Sequence, residues 1–240
     1  MQNVGAAWLM TSLAPEPIAW TQTPTLAAVH ALMVLASAFY LVIGGAAWWL
    51  KSDRSEAWAL LLFCCTMATQ LATMPQTNLI PFGWPRMLVN LPLIGATTFH
   101  LFTTYPIEPG WVVRHRRAQL LPYAAALCLA AFSLSEREFG APIGLGLTLS
   151  YVFTQLLMVA SLAIVAVERR NHGDGPLRNR ADLMFWAAMV SFGPILLIYL
   201  AEWMLHMAFP SHVAMLWMSL FPVAVGYGIV RRQLFEVRSV

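Results

Sequence analysis

The stretch KSDRSEAWALLLFCCTMATQLATM, residues 51–74, decides how this chain folds. Its first six residues, Lys51 to Glu56, form a polar gap with two basic side chains. The run that follows, Ala57 to Met74, carries no Asp, Glu, Lys or Arg. A helix that crosses a bilayer needs roughly 17 to 25 mainly apolar residues. The same alternation extends outward in both directions. Thr25 to Leu50 precedes the gap as another uncharged run, and Met87–Pro106, Leu120–Leu134, Ile143–Val167, Leu183–Met207 and Val213–Val230 follow. These seven runs predict an all-α integral membrane protein, a seven-transmembrane helix bundle. The fourth run is the shortest and is bounded by Pro122 and Ser135.

The charges give the orientation. Of 14 Lys and Arg residues, 12 fall in four gaps: Lys51–Glu56 with 2, Glu108–Gln119 with 3, Glu168–Asp182 with 4, and the tail from Arg231 with 3. Arg86 and Arg137 stand singly in the intervening gaps. Short loops rich in Lys and Arg stay cytoplasmic, so the N-terminus is expected outside and the C-terminus in the cytoplasm. Tryptophans agree with this placement, except Trp217, which lies too deep in its run. Trp48, Trp49, Trp58 and Trp111 lie at expected inner boundaries, and Trp20, Trp84 and Trp203 at outer ones, where an indole buries its ring and keeps its N–H wet. Residues 1–24, with Trp8, Leu9, Met10 and Leu13 ahead of Pro15 and Pro17, read as an extracytoplasmic segment, either an interfacial helix or a frayed tail. Residues 25–230 form the membrane domain, and 231–240 a cytoplasmic linker stub.

Composition excludes several classes. The chain is 59% hydrophobic and 10% charged, with a mean hydropathy of +0.66, against about 25% charged for a soluble domain. Its basic residues are divided among loops and form no stripe for nucleic acid. They suit the lipid bilayer and its anionic headgroups. Cys64, Cys65 and Cys128 lie within apolar runs and imply reduced thiols. Lys51, the only lysine, sits at the inner end of the first span, which disfavours a retinal Schiff base. The histidines do not pair for membrane haems, and no hydrolase or phosphate-loop motif occurs. No catalytic residue and no cofactor is assigned.

Polar groups inside a bilayer are costly and are the default candidates for function. Glu202 is the only acid within an expected span, and His206 follows at i+4 on the same helical face. His30 and His212 are expected at the same outer level, with Arg86 nearby. Three readings of this set stay open. It is a metal or proton-responsive site, an anchor for an anionic or polar ligand, or ordinary interfacial polarity. His100 lies among Thr97, Thr98, Thr103 and Thr104, whose hydroxyls are expected to satisfy it. Asn90, Gln70 and Gln155 are expected to make interhelical hydrogen bonds. Pro92, Pro194 and Pro222 fall within expected spans and predict bends. Gly44 to Ala47 predict close helix approach.

Two stretches carry a resemblance. One runs from His100 through Tyr105, Pro106 and Pro109. The other contains Phe221, Pro222, Tyr227, Ile229, Arg231, Leu234, Phe235, Glu236 and Val237. Together they resemble the N-terminal multi-helix sensor region of bacterial sensor histidine kinases and related signalling proteins. The resemblance implies a bacterial inner-membrane module of a two-component system. It also implies a cytoplasmic kinase or other output domain as partner, and a homodimer. Proteins of that group continue into a dimerisation helix and an ATP-binding domain. This chain stops at Val240, so kinase activity transfers to no residue here, and a truncated chain or a stand-alone module is expected.

The expected function is a membrane sensor that couples an outer or intramembrane stimulus to the cytoplasm through its last helix. Pro222, Tyr227, Arg231, Leu234 and Phe235 are its transmission residues. A non-catalytic membrane subunit that scaffolds a larger complex is the alternative, and a small-molecule carrier a weaker one, because the spans hold few polar residues.

Overall fold

The apolar runs are helices in the structure, a computed structural model that describes residues 24–73, 82–106, 108–138, 144–171, 175–205 and 217–236. The helices are α1 Pro24–Leu50, α2 Ser55–Thr73, α3 Gly83–Thr104, the short α4 Gly110–Arg114, α5 Leu121–Glu138, α6 Leu145–Asn171, α7 Pro176–Leu205 and α8 Leu220–Glu236. A 3₁₀ turn, Arg116–Leu120, joins α4 to α5. No strand occurs among the described residues. Among the described residues, six helical segments are long and apolar enough to cross a membrane, within α1, α2, α3, the 3₁₀ turn with α5, α6 and α7. This is a multi-pass helical membrane protein. The first 23 residues, His206, His212 and Val237 lie outside the described residues.

A helix satisfies its own backbone, which is why it is the element that survives in hydrocarbon. Association then depends on close packing and interhelical hydrogen bonds, because lipid is as apolar as leucine. In sequence order α1 packs on α2, α2 on α3, α6 on α7 and α7 on α8, and α8 returns to α1 and α2 to close a ring. α3 is the central helix. It touches α2, α5 and α6, and 78% of its spanning window is buried, against 22% for the segment containing α5, which lies at the periphery. Large apolar residues such as Leu35 and Val42 on α1 and Leu156 on α6 are exposed on the outer surface, as a lipid-facing shell requires.

The close approaches are built on small residues. A Cβ added at Gly44 would lie 2.6 Å from Cys64 Cβ, and one at Gly95 would lie 2.9 Å from Thr154 Cα. Beside these contacts, Ser37 donates to the Ala68 carbonyl at 2.9 Å, and Thr154 donates to the Leu91 carbonyl at 2.9 Å. Asn90 donates to the Thr66 carbonyl at 2.9 Å and to Gln70 Oε1 at 3.1 Å, the interhelical role expected of both side chains. Gln155 departs from that expectation, since its Oε1 has no hydrogen-bond partner among the described residues.

Several boundaries differ from the apolar runs. α6 continues to Asn171 and α7 starts at Pro176, so the basic loop is largely helical. Pro176 opens a helix, where its missing N–H costs no bond. Pro92 and Pro194 lie inside helices, as expected. Pro222 does not: α8 begins at Leu220, which puts Pro222 in the first turn, where the backbone N–H has no helical partner anyway. α8 runs on through Arg231, Leu234 and Phe235 to Glu236.

Candidate functional site: the seat of the last helix

α8 starts from a turn at Met218 and Ser219. The Phe221 N–H donates to the Met218 carbonyl at 3.1 Å, and the buried Tyr40 hydroxyl of α1 donates to the same carbonyl at 2.7 Å. One backbone oxygen thus ties the start of α8 to the middle of α1. Phe221 projects into the core and is fully buried. Its ring stacks on Phe102 of α3, centroids 5.5 Å apart with planes 7° apart. It meets Phe63 of α2 edge-on at 5.4 Å and Phe192 of α7 at 4.8 Å. Tyr40 stands 6.2 Å from Phe63. Five aromatic rings from five helices therefore form one tier. Such pairs contribute about 0.5–1.5 kcal/mol each beyond area burial.

The second contact lies seven residues along α8. Tyr105 follows α3, with its N–H donating to the Leu101 carbonyl at 2.8 Å, and its hydroxyl lies directly against Gly228. Any Cβ at position 228 would collide with that hydroxyl and crowd Leu183 Cδ2 at 3.3 Å. The exit of α3 and the last helix, far apart in sequence, are thus joined at two levels, Phe102 on Phe221 and Tyr105 on Gly228. Tyr227, the residue before it, is exposed. The helix then continues through Arg231, Leu234 and Phe235. This arrangement holds no nucleophile or acid–base pair. What it can do is fix the position and rotation of α8 relative to α3 and α7.

His100 is satisfied from an unexpected direction. Its Nδ1 shares a 2.9 Å hydrogen bond with Tyr123 Oη of α5, and the two rings meet edge-on. The neighbouring threonines turn to their own helix instead. Thr97 and Thr98 donate to the Ile94 carbonyl, and Thr103 and Thr104 to the His100 carbonyl. A helical threonine reaches its i−3 or i−4 carbonyl more readily than a side chain on the same face.

At the other end of the bundle, the polar set expected on the outer side is described in part. His30 is buried on α1, and Arg86 is exposed in the first turns of α3. Glu202 belongs to α7, but its side chain, like His206 and His212, lies outside the described set. Registers fix levels. Tyr40 and Phe192 both belong to the aromatic tier, and ten residues on each helix, about 15 Å of rise, lead from them to His30 and Glu202. Phe192 meets Phe221 while Leu183 approaches Gly228, so α7 runs opposite to α8. α3 runs with α8, Phe102 on Phe221 and Tyr105 on Gly228. α1 and α3 both run opposite to α2, with Ser37 by Ala68 and Gly44 by Cys64, and Gln70 by Asn90 and Thr66 by Thr97. Both ten-residue paths therefore lead the same way. Arg86 is sixteen residues before Phe102, about 24 Å of rise, so it stands farther out. Among the described residues no group of three or more His, Cys, Asp or Glu side chains is placed to hold a metal ion.

Two features were not anticipated from sequence. The first is the aromatic tier itself, since Tyr40, Phe63, Phe102 and Phe192 lie in apolar runs where nothing marks one ring from another. The second is a clamp between α6 and α7. Arg169 pairs with Asp182, and its guanidinium lies 5.3 Å over Phe185 and 5.9 Å over Trp186. Arg178 adds a 4.0 Å contact to Asp182 at i+4, the one part of the clamp that spacing could have shown.

No protein-family model, curated protein or solved structure matches this chain.

Proposed function

We propose that this chain is a seven-helix membrane sensor with its N-terminus outside and its C-terminus in the cytoplasm. A stimulus acts in or near the outer polar level of His30 and Glu202, and α8 reports it inward. The seventh pass contains α8. The observation that carries the reading is the double attachment of α8 to α3. Phe221 and Gly228 engage Phe102 and Tyr105, and those four residues belong to the two stretches that resemble bacterial sensor proteins. Two further points support it. α7, which bears Glu202 at its outer end, also supplies Phe192 to the aromatic tier. And α8 leaves the bundle as a continuous helix, suited to pass a tilt or rotation onward through Arg231, Leu234 and Phe235. A ligand shifts such an equilibrium only by its differential affinity for the two states, so a shared core between the outer level and the exit helix is the needed element.

The test joins a reporter kinase to the tail after Val240 and compares Phe221→Ala and Phe102→Ala with the parent chain at equal membrane abundance. A change in output of about threefold or more in either direction is expected, a shift of roughly 0.6 kcal/mol in the balance of states. Output equal to the parent in both variants under every stimulus tried removes the signalling reading.

A further inference from the structure

We propose that the segment joining α3 to α5 is a docking surface for anionic phospholipid headgroups. The segment is held in a fixed pose. Val112 and Pro109 are buried, Trp111 lies 6.3 Å from the Phe99 ring, and Gln119 donates to Thr103 and Thr104 Oγ1 at 3.2 and 3.4 Å. From this anchored base the chain presents Arg114, His115, Arg116 and Arg117 in succession, all exposed. None of the four has an ion pair or side-chain hydrogen bond among the described residues, in contrast to the basic loop between α6 and α7, where Asp182 takes both Arg169 and Arg178. Unpaired among the described residues, the three guanidiniums offer their positive charge to phosphate oxygens.

The apolar rim points to lipid as the source of those phosphates. Trp111 and Val113 precede the basic run, and Leu120 and Leu121 follow it, all four exposed. A short element with a tryptophan, exposed aliphatic residues and a block of arginines has the composition of an interfacial membrane contact. The segment is also tethered between two spanning helices, so it lies at the bilayer surface whichever side it faces. Charge complementarity then selects acidic headgroups over zwitterionic ones, each basic residue near the surface adding to the attraction. This inference is independent of the signalling reading.

The full chain is placed in nanodiscs of equal phosphatidylcholine and phosphatidylglycerol and extracted into mild detergent, and the retained lipid is weighed by mass spectrometry. Phosphatidylglycerol is expected enriched by about threefold over the bulk ratio at low salt, with the enrichment largely lost near 0.5 M salt. The Arg114→Gln, Arg116→Gln, Arg117→Gln triple variant is expected to fall to the bulk ratio. The corresponding triple lysine variant, and Arg54→Gln as a control in another gap, are expected to keep it. Absence of enrichment in the parent chain overturns the proposal, as does enrichment that survives the triple glutamine change. So does its loss in the lysine variant when that variant melts like the parent.

Discussion

Gly228 faces the end of the Tyr105 side chain, and the contact is demanding because Tyr105 is itself buried. Overpacking a tight site costs about 1–3 kcal/mol, so Gly228→Ala is expected to lower stability by that amount in a denaturation series. Removing the hydroxyl with Tyr105→Phe leaves Cζ as the nearest ring atom at 3.5 Å, an ordinary contact, and the double variant should recover most of the loss. A double-mutant cycle with no coupling energy would mean that the two residues do not meet. At this scale the sequence was informative where chemistry leaves few choices. Asn90 and Gln70 had to find partners in an apolar environment, and they found each other. The threonines around His100 were misread, because a hydroxyl on a helix has its own carbonyl within reach and Tyr123 had no sequence mark linking it to position 100.

The clamp of α6 and α7 is a matter of elements. Arg169 combines an ion pair, worth about 0.2–1 kcal/mol when part-exposed, with cation–π contacts of about 0.5–1 kcal/mol. Arg169→Ala is expected to destabilise the bundle by about 1–2 kcal/mol and to widen the spin-label distance between positions 171 and 179. Arg169→Lys keeps the charge but loses the flat guanidinium face, and it should fall between the two. Unchanged melting and distance in the alanine variant would show that the helix ends are held elsewhere. The six long apolar helices were legible as runs, whereas their ends and the short α4 were not. Hydropathy reports the thickness of hydrocarbon, but a helix ends where its hydrogen bonds end. α6, α7 and α8 therefore run past the apolar limits into charged sequence, and Pro222 moved from an expected interior kink to a first turn.

For the whole molecule, the sequence supplied the class of fold but not the arrangement. In a soluble bundle the polar face of each helix marks the outside. Here lipid and core are equally apolar, so nothing in α3 announces that it is central and nothing in α5 that it is peripheral. Orientation rests on the basic gaps, and cysteine labelling in intact cells is the measurement for it. Gly173→Cys is expected to react only with membrane-permeant reagents, and Ala141→Cys with impermeant ones as well. The reverse pattern would invert the proposed topology. The helix registers set His30 and Glu202 at one depth with Arg86 beyond them.

The unbroken course of α8 sets an azimuth. Phe221, Gly228 and Phe235 are spaced by sevens, and each step of seven residues drifts by only about 20° around a straight helix. The line of positions that faces α3 inside the bundle is therefore continued by position 235, about 21 Å along the axis from Phe221. Whatever docks there would sense the phase of the core: a quarter-turn at the phenylalanine tier arrives as a quarter-turn at the tail, with no lever needed in between.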